Sequence, residues 1–123
     1  MGKAVGFEVV FYVTADGTQP VRDFLQSLDK NMRAKIYHDI KLLAENGSLL
    51  REPYSKHLNE GIFELRSQFG GDISRILYFF VVGRKIVLTN GFIKKTPKTP
   101  PTEIERAKRY RRDYLQRKEH GND

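Results

Sequence analysis

Along this chain the spacing of apolar residues switches between two and three-to-four, and each switch marks a change of element. From Gly6 to Val13, Phe7, Val9, Phe11 and Val13 alternate with Glu8, Val10 and Tyr12, which predicts a strand with both faces partly covered. Asp16-Gly17 is a turn signal. In the following TQPVRDFLQSL, Thr18 stands where a cap would, Pro20 suits a first helical turn, and Val21, Phe24, Leu25 and Leu28 recur at helical spacing. Asp29 is placed to cap a second helix with the stripe Met32, Ile36, Ile40 and Leu43, ended at Asn46-Gly47. The tight join at Asp29 makes the two a helical hairpin packed on a sheet.

Period two returns after the polar connection Ser48–Ser55 and the short run Lys56-His57-Leu58. Asn59-Glu60-Gly61, Gly70-Gly71-Asp72 and Gly83-Arg84 read as turns between strands. Phe63 and Leu65 alternate with Glu64 and Arg66, whereas every position of Ile76–Val82 is apolar, so that strand is expected at the centre with both faces covered. The segment TPKTPPT has three prolines in seven residues and reads as an extended connector that cannot be helix. Thr102-Glu103-Ile104-Glu105 matches a capping box, opening a basic helix with the stripe Ile104, Ala107, Tyr110 and Tyr114. The order is α+β: a mainly antiparallel sheet of four to five strands, an N-terminal helical hairpin and a C-terminal basic helix. One domain spans 1–123, with 119–123 expected to fray.

Composition sharpens this picture only where it excludes something. With 39% hydrophobic and 30% charged residues, eight Phe and six Tyr, the chain is a folding one. No run approaches the roughly 20 apolar residues of a membrane span, and the N-terminus lacks the pattern of a signal peptide, so a cytoplasmic protein without membrane contact is expected. The absence of cysteine removes disulfides, thiolate nucleophiles and Cys-based zinc sites; His38, His57 and His120 have no metal-ligand spacing. A net charge of +7 favours a polyanionic partner, and Lys94–Asp123 alone holds ten Lys or Arg against five Asp or Glu.

The strands collect cations that chemistry on a phosphate would need. Arg66 and Arg75 are planar forks suited to phosphate oxygens. Lys56, Lys94 or Lys95 could exchange a proton when crowded by other cations, and His57 is the natural proton shuttle by intrinsic pKa. Each has a structural alternative: Arg66 paired with Glu64, Arg75 with a buried partner, Lys94 and Lys95 blunting a strand end, and His57 satisfied by its neighbours.

The joint pattern KHLNEGIFELR, SRILYFF and IVLTNGFIKKTPKTPPTEIERAK resembles the RelE/ParE superfamily of type II toxin–antitoxin toxins, and within it the HigB-like, phage-derived branch. The resemblance implies a RelE-like fold and cleavage of messenger RNA on the translating ribosome. It implies a cognate helix-turn-helix antitoxin as partner; no metal or cofactor is expected, since arginine and lysine can supply the charge a metal would bring. It assigns the family's strand arginine to Arg75 and its basic residue after the last strand to Lys94 or Lys95. A catalytic strand lysine of some relatives falls on Glu64, and a downstream tyrosine has no counterpart in Thr99–Thr102. Candidate contacts with RNA or ribosome are Lys56, Phe92, Lys98, Arg106, Lys108, Arg109, Arg111 and Arg112. ParE-like gyrase inhibitors share the fold without the catalytic cations, and a basic phage accessory protein that binds nucleic acid is a third reading.

Overall fold

The computed structural model describes residues 6–119. Gly70 and Gly83, at φ of 63° and 93°, take the left-handed conformation that side chains disfavour, and they turn the apolar runs back on themselves as hairpins. The elements are β1 (Glu8–Phe11), α1 (Pro20–Gln26), α2 (Lys30–Asn46), a 3-10 turn (Gly47–Leu49), β2 (Ser55–Asn59), β3 (Ile62–Phe69), β4 (Asp72–Val81), β5 (Lys85–Ile93) and α3 (Pro101–Glu119). They form an α+β fold whose five-stranded mixed sheet has the order β1-β5-β4-β3-β2. The hairpin neighbours are antiparallel; β1 alone runs parallel, pairing Glu8 to Phe11 with Lys85 to Leu88 of β5.

Each face of the sheet has its own helical cover. Val21, Leu25, Met32, Ile36, Ile40 and Leu43 of the hairpin bury Leu65, Ile76, Tyr78, Ile86 and Leu88. On the other face Ala107, Tyr110 and Tyr114 of α3 pack on Tyr12, Ile62, Leu77, Phe79 and Val87. Strand alternation puts Glu64 and Arg66 on this second face after Ile62, and Arg75 on it before Leu77. A bulge at Thr89 shifts the β4–β5 register. It brings Phe92 opposite Arg75 and turns Gly91 toward Phe24, where a Cβ would lie 2.5 Å from the ring.

Polar ties hold α3 in place. The Tyr12 hydroxyl donates to Asp113 at 2.5 Å and its ring stacks on Tyr110 at 4.6 Å. Arg117 donates to Asp113 at 3.0 and 2.6 Å and to the Val13 carbonyl. Burial and the neighbouring Asp113 push the Tyr12 hydroxyl up to about 12; the Tyr12 bond and Arg117 hold the Asp113 carboxyl below its ordinary range.

Several local expectations are corrected. The first strand is Glu8–Phe11 rather than Gly6–Val13. Thr18 does not cap α1: Gln19 takes that position without a side-chain bond, while Thr18 closes a turn with Thr14 and Asp16. Asp29 does cap α2, accepting from the Asn31 and Met32 amides. Val82 is fully exposed because β4 ends at Val81 and the turn begins there. The proline connector enters the helix: Pro101 is the first residue of α3, where the missing N–H costs nothing. That start puts Thr102 inside the helix and precludes the capping box, and its Glu105 carboxylate instead lies 3.7 Å from Lys108. Glu119 is still helical; the rest of the expected frayed tail, with His120, lies outside the described residues.

Candidate cationic site

The β3–β4 register sets Arg66 directly opposite Arg75, a like-charge pairing that is unfavourable without a counter-ion. Glu64 supplies it. Its Oε2 accepts from Arg66 Nε at 3.0 Å and from Arg75 Nη1, and its Oε1 accepts from the Thr99 hydroxyl at 2.5 Å. Glu64 is 1% exposed and Arg75 2% exposed, so one buried carboxylate serves two guanidiniums. The Arg75 Nε is buried without a hydrogen-bond partner among the described residues. Burial, reinforced by Arg66 and opposed by Glu64, lowers the Arg75 pKa from its ordinary value.

Lys94 joins the pair because its backbone N–H donates to the Ile73 carbonyl at 2.8 Å, carrying the end of β5 alongside the start of β4. Burial first, then the charges of Arg75 and Arg66, lower its pKa; Glu64 opposes them and Lys56 adds to them. Two clefts meet at the arginines, which line both. A cleft of about 510 Å³ is bounded by Lys35, Pro53, Tyr54, Gln68, Ile73 and Lys94. A cleft of about 210 Å³ is bounded by Lys56, His57, Leu58, Glu64, Ile104 and the connector Pro97-Lys98-Thr99.

The structure therefore brings together Arg66, Arg75, Lys94, Lys56 and Lys98, whereas the His57 ring turns to the other face of the sheet, where its strand partner Phe63 packs. His57 sits at the rim, its ring edge-on to Phe63 at 5.0 Å. Its Nε2 accepts the Gly61 N–H at 3.1 Å, which leaves the neutral ring's proton on Nδ1. Lys95 is exposed and lines neither cleft. Phe92 is half-buried and packs with the α3-side core rather than standing free as a stacking platform.

The helix cations divide in two. Arg106 pairs with Glu103 at 3.1 Å, Lys108 with Glu60 and Glu105 at 3.5 and 3.7 Å, and Arg111 donates to the Glu60 carbonyl at 2.6 Å. Arg109 and Arg112 are exposed, with Arg109 lying 5.5 Å from the centre of the Tyr110 ring. His38 lies away from both clefts, 3.3 Å from Asp39.

Lys35, Tyr54, Thr99 and the role of Glu64 as shared acceptor were not singled out in the sequence. Lys35 carried a signal, standing four residues before Asp39 on one helix face, and Glu64 carried one toward Arg66 alone; Asp39 is fully buried and accepts from Lys35 at 3.0 Å and Ser67 at 2.7 Å. Among the described residues no cluster of three or more His, Asp or Glu is arranged to hold a metal ion, and no helix is long and apolar enough to cross a membrane.

A five-stranded mixed sheet with three helices, ending in a cationic cluster, is consistent with a RelE-like fold. The model of a family described as phage derived protein Gp49-like (DUF891) matches residues 23–112, and the chain belongs to that family. This membership is consistent, at a coarse level, with a toxin-like function. No curated protein matches the chain.

Proposed function

We propose that this protein is the toxin of a type II toxin–antitoxin system, of the HigB-like branch, and cuts messenger RNA on the translating ribosome. The observation that carries this reading is the paired guanidiniums of Arg66 and Arg75 at the junction of two cation-lined clefts. In the reaction the RNA 2′-oxygen attacks the adjacent phosphorus and the bond from phosphorus to the 5′-oxygen breaks. A 2′,3′-cyclic phosphate and a 5′-hydroxyl result. The 2′-hydroxyl proton passes to solvent, and a second proton reaches the departing 5′-oxygen. Arg66 and Arg75 neutralise the charge that builds on the phosphorane oxygens, and Lys94, acidified by burial and by both arginines, donates the second proton. A cognate helix-turn-helix antitoxin in the same cytoplasm restrains the activity.

The test is induction in growing bacteria with mapping of messenger RNA 5′-hydroxyl ends. Cuts at in-frame codon positions are expected, absent when translation is blocked and strongly reduced in Arg66→Ala and Lys94→Ala. Intact messages accompanied by DNA damage would overturn the nuclease reading and favour gyrase inhibition by binding.

A further inference from the structure

We infer that the larger cleft is a base-binding subsite for one nucleotide of single-stranded RNA, with Tyr54 as its stacking surface and Gln68 as its hydrogen-bonding edge. This rests on the nuclease reading above and extends it from the phosphate to the nucleotide beside it.

Tyr54 is a large aromatic residue left 41% exposed, and its ring makes no aromatic or hydrogen-bonding contact among the described residues. Its backbone, in contrast, is fixed. The Tyr54 carbonyl accepts the Arg66 N–H at 2.8 Å, its own N–H donates to the Arg51 carbonyl at 3.0 Å, and the next residue, Ser55, is buried with its hydroxyl 2.5 Å from that of Tyr78. A rigid backbone thus presents an unoccupied ring beside a guanidinium, the arrangement on which unpaired bases stack.

Gln68 lies two residues beyond Arg66 on the same strand face and is exposed. Its carboxamide offers both a donor and an acceptor, which a base edge requires and a phosphate does not. Lys35 and Lys94 flank the cleft and favour the anionic backbone of the same nucleotide. The two clefts differ in the room they give. The Tyr54 cleft, at about 510 Å³, falls within the roughly 300–1,000 Å³ typical of ligand sites, whereas the other, at about 210 Å³, does not. A strand crossing the arginines therefore has one side on which a base can seat.

The experiment compares wild type, Tyr54→Ala, Tyr54→Phe and Gln68→Leu by induction and 5′-end mapping, scoring nucleotide frequencies at each position around the cut. Tyr54→Ala is expected to lower cutting about tenfold, the loss of one base–aromatic stack, and to flatten the preference at one position on one side. Tyr54→Phe keeps rate and preference, and Gln68→Leu changes the preference with a smaller loss of rate. If wild type cuts while Tyr54→Ala and Gln68→Leu leave the nucleotide frequencies unchanged, the subsite is overturned. Unchanged rates would then mean no role, and a uniform loss would mean contact with a protein or the ribosome. Absence of cuts by wild type would overturn the nuclease reading itself and the subsite with it. Thermal melting of Tyr54→Ala, expected near wild type because the ring is exposed, separates these outcomes from misfolding.

Discussion

Glu64 and Asp113 each accept hydrogen bonds from an arginine and from a hydroxyl group, yet their surroundings serve opposite ends. At Asp113 one carboxylate meets one guanidinium, Arg117, which also donates to the Val13 carbonyl, and the Tyr12 ring lies stacked on Tyr110. Charge balances there, and the group fastens α3 to the end of β1. At Glu64 one carboxylate faces both Arg66 and Arg75, Lys94 and Lys56 stand near enough to influence each other, and the Arg75 Nε is without a partner. The presence of an ion pair does not separate the two. What does is a surplus of positive charge, because only such a group has electrostatic attraction left for an anion.

The contrast is broken most forcefully by deleting each acid. Glu64→Ala strands the buried Arg75 charge and is expected to cost about 3–5 kcal/mol of stability, read as a lowered denaturant midpoint. Asp113 is partly exposed, and Asp113→Ala is expected to cost only about 1 kcal/mol while leaving the proposed RNA cleavage intact. Cleavage lost equally in both variants would erase the distinction between a ligand site and a fastening. Arg66 sharpens it: with its side chain 24% exposed, Arg66→Ala is expected to leave the melting temperature within a few degrees of wild type. Cleavage measured on translating ribosomes should nevertheless fall about 100-fold.

These two groups were not equally legible in the sequence. Strand alternation and glycine turns are local signals, so the β2–β5 meander and the pairing of Arg66 with Glu64 followed from residues close together along the chain. The parallel contact of β1 with β5 joins Glu8 to Lys85, and the Tyr12–Asp113 tie spans 101 positions, distances along the chain that no periodicity links. Asp113 looked like one charge among many on a basic helix. Tyr54 was hidden differently: it lies in an irregular connection, where neither helical nor strand spacing says which way a side chain points. Glu64 was misleading, because its departure from the lysine of some relatives obscured its place between the two arginines. The capping-box motif at Thr102 failed because two successive prolines fix the helix start two residues earlier, at Pro101 rather than Glu103.

The smallest expected effects are titrations, and they separate the two groups without a change in fold. Tyr12 is an acid whose folded pKa is raised, from the ordinary 10 to about 12, so folding favours its neutral form. Its contribution to stability is therefore fully present below about pH 10 and is lost as pH rises toward 12; Tyr78, raised to about 12 by burial, adds to the same decline. Lys94 moves the other way. Its ammonium is disfavoured by burial and by Arg75 and Arg66, so it gives up its proton at a lower pH than an ordinary lysine. The cationic cluster should thus begin to lose charge while the α3 fastening is still protonated and the fold intact. Side-chain NMR of protein carrying ¹³C-labelled lysine tests this directly. One Cε resonance, absent in Lys94→Met, is expected to titrate below the bulk of the lysines, and in Arg66→Ala it should shift back toward them. A Lys94 signal that moves with the bulk, in wild type and variant alike, would mean that the arginines do not acidify it, and another group would have to protonate the leaving oxygen.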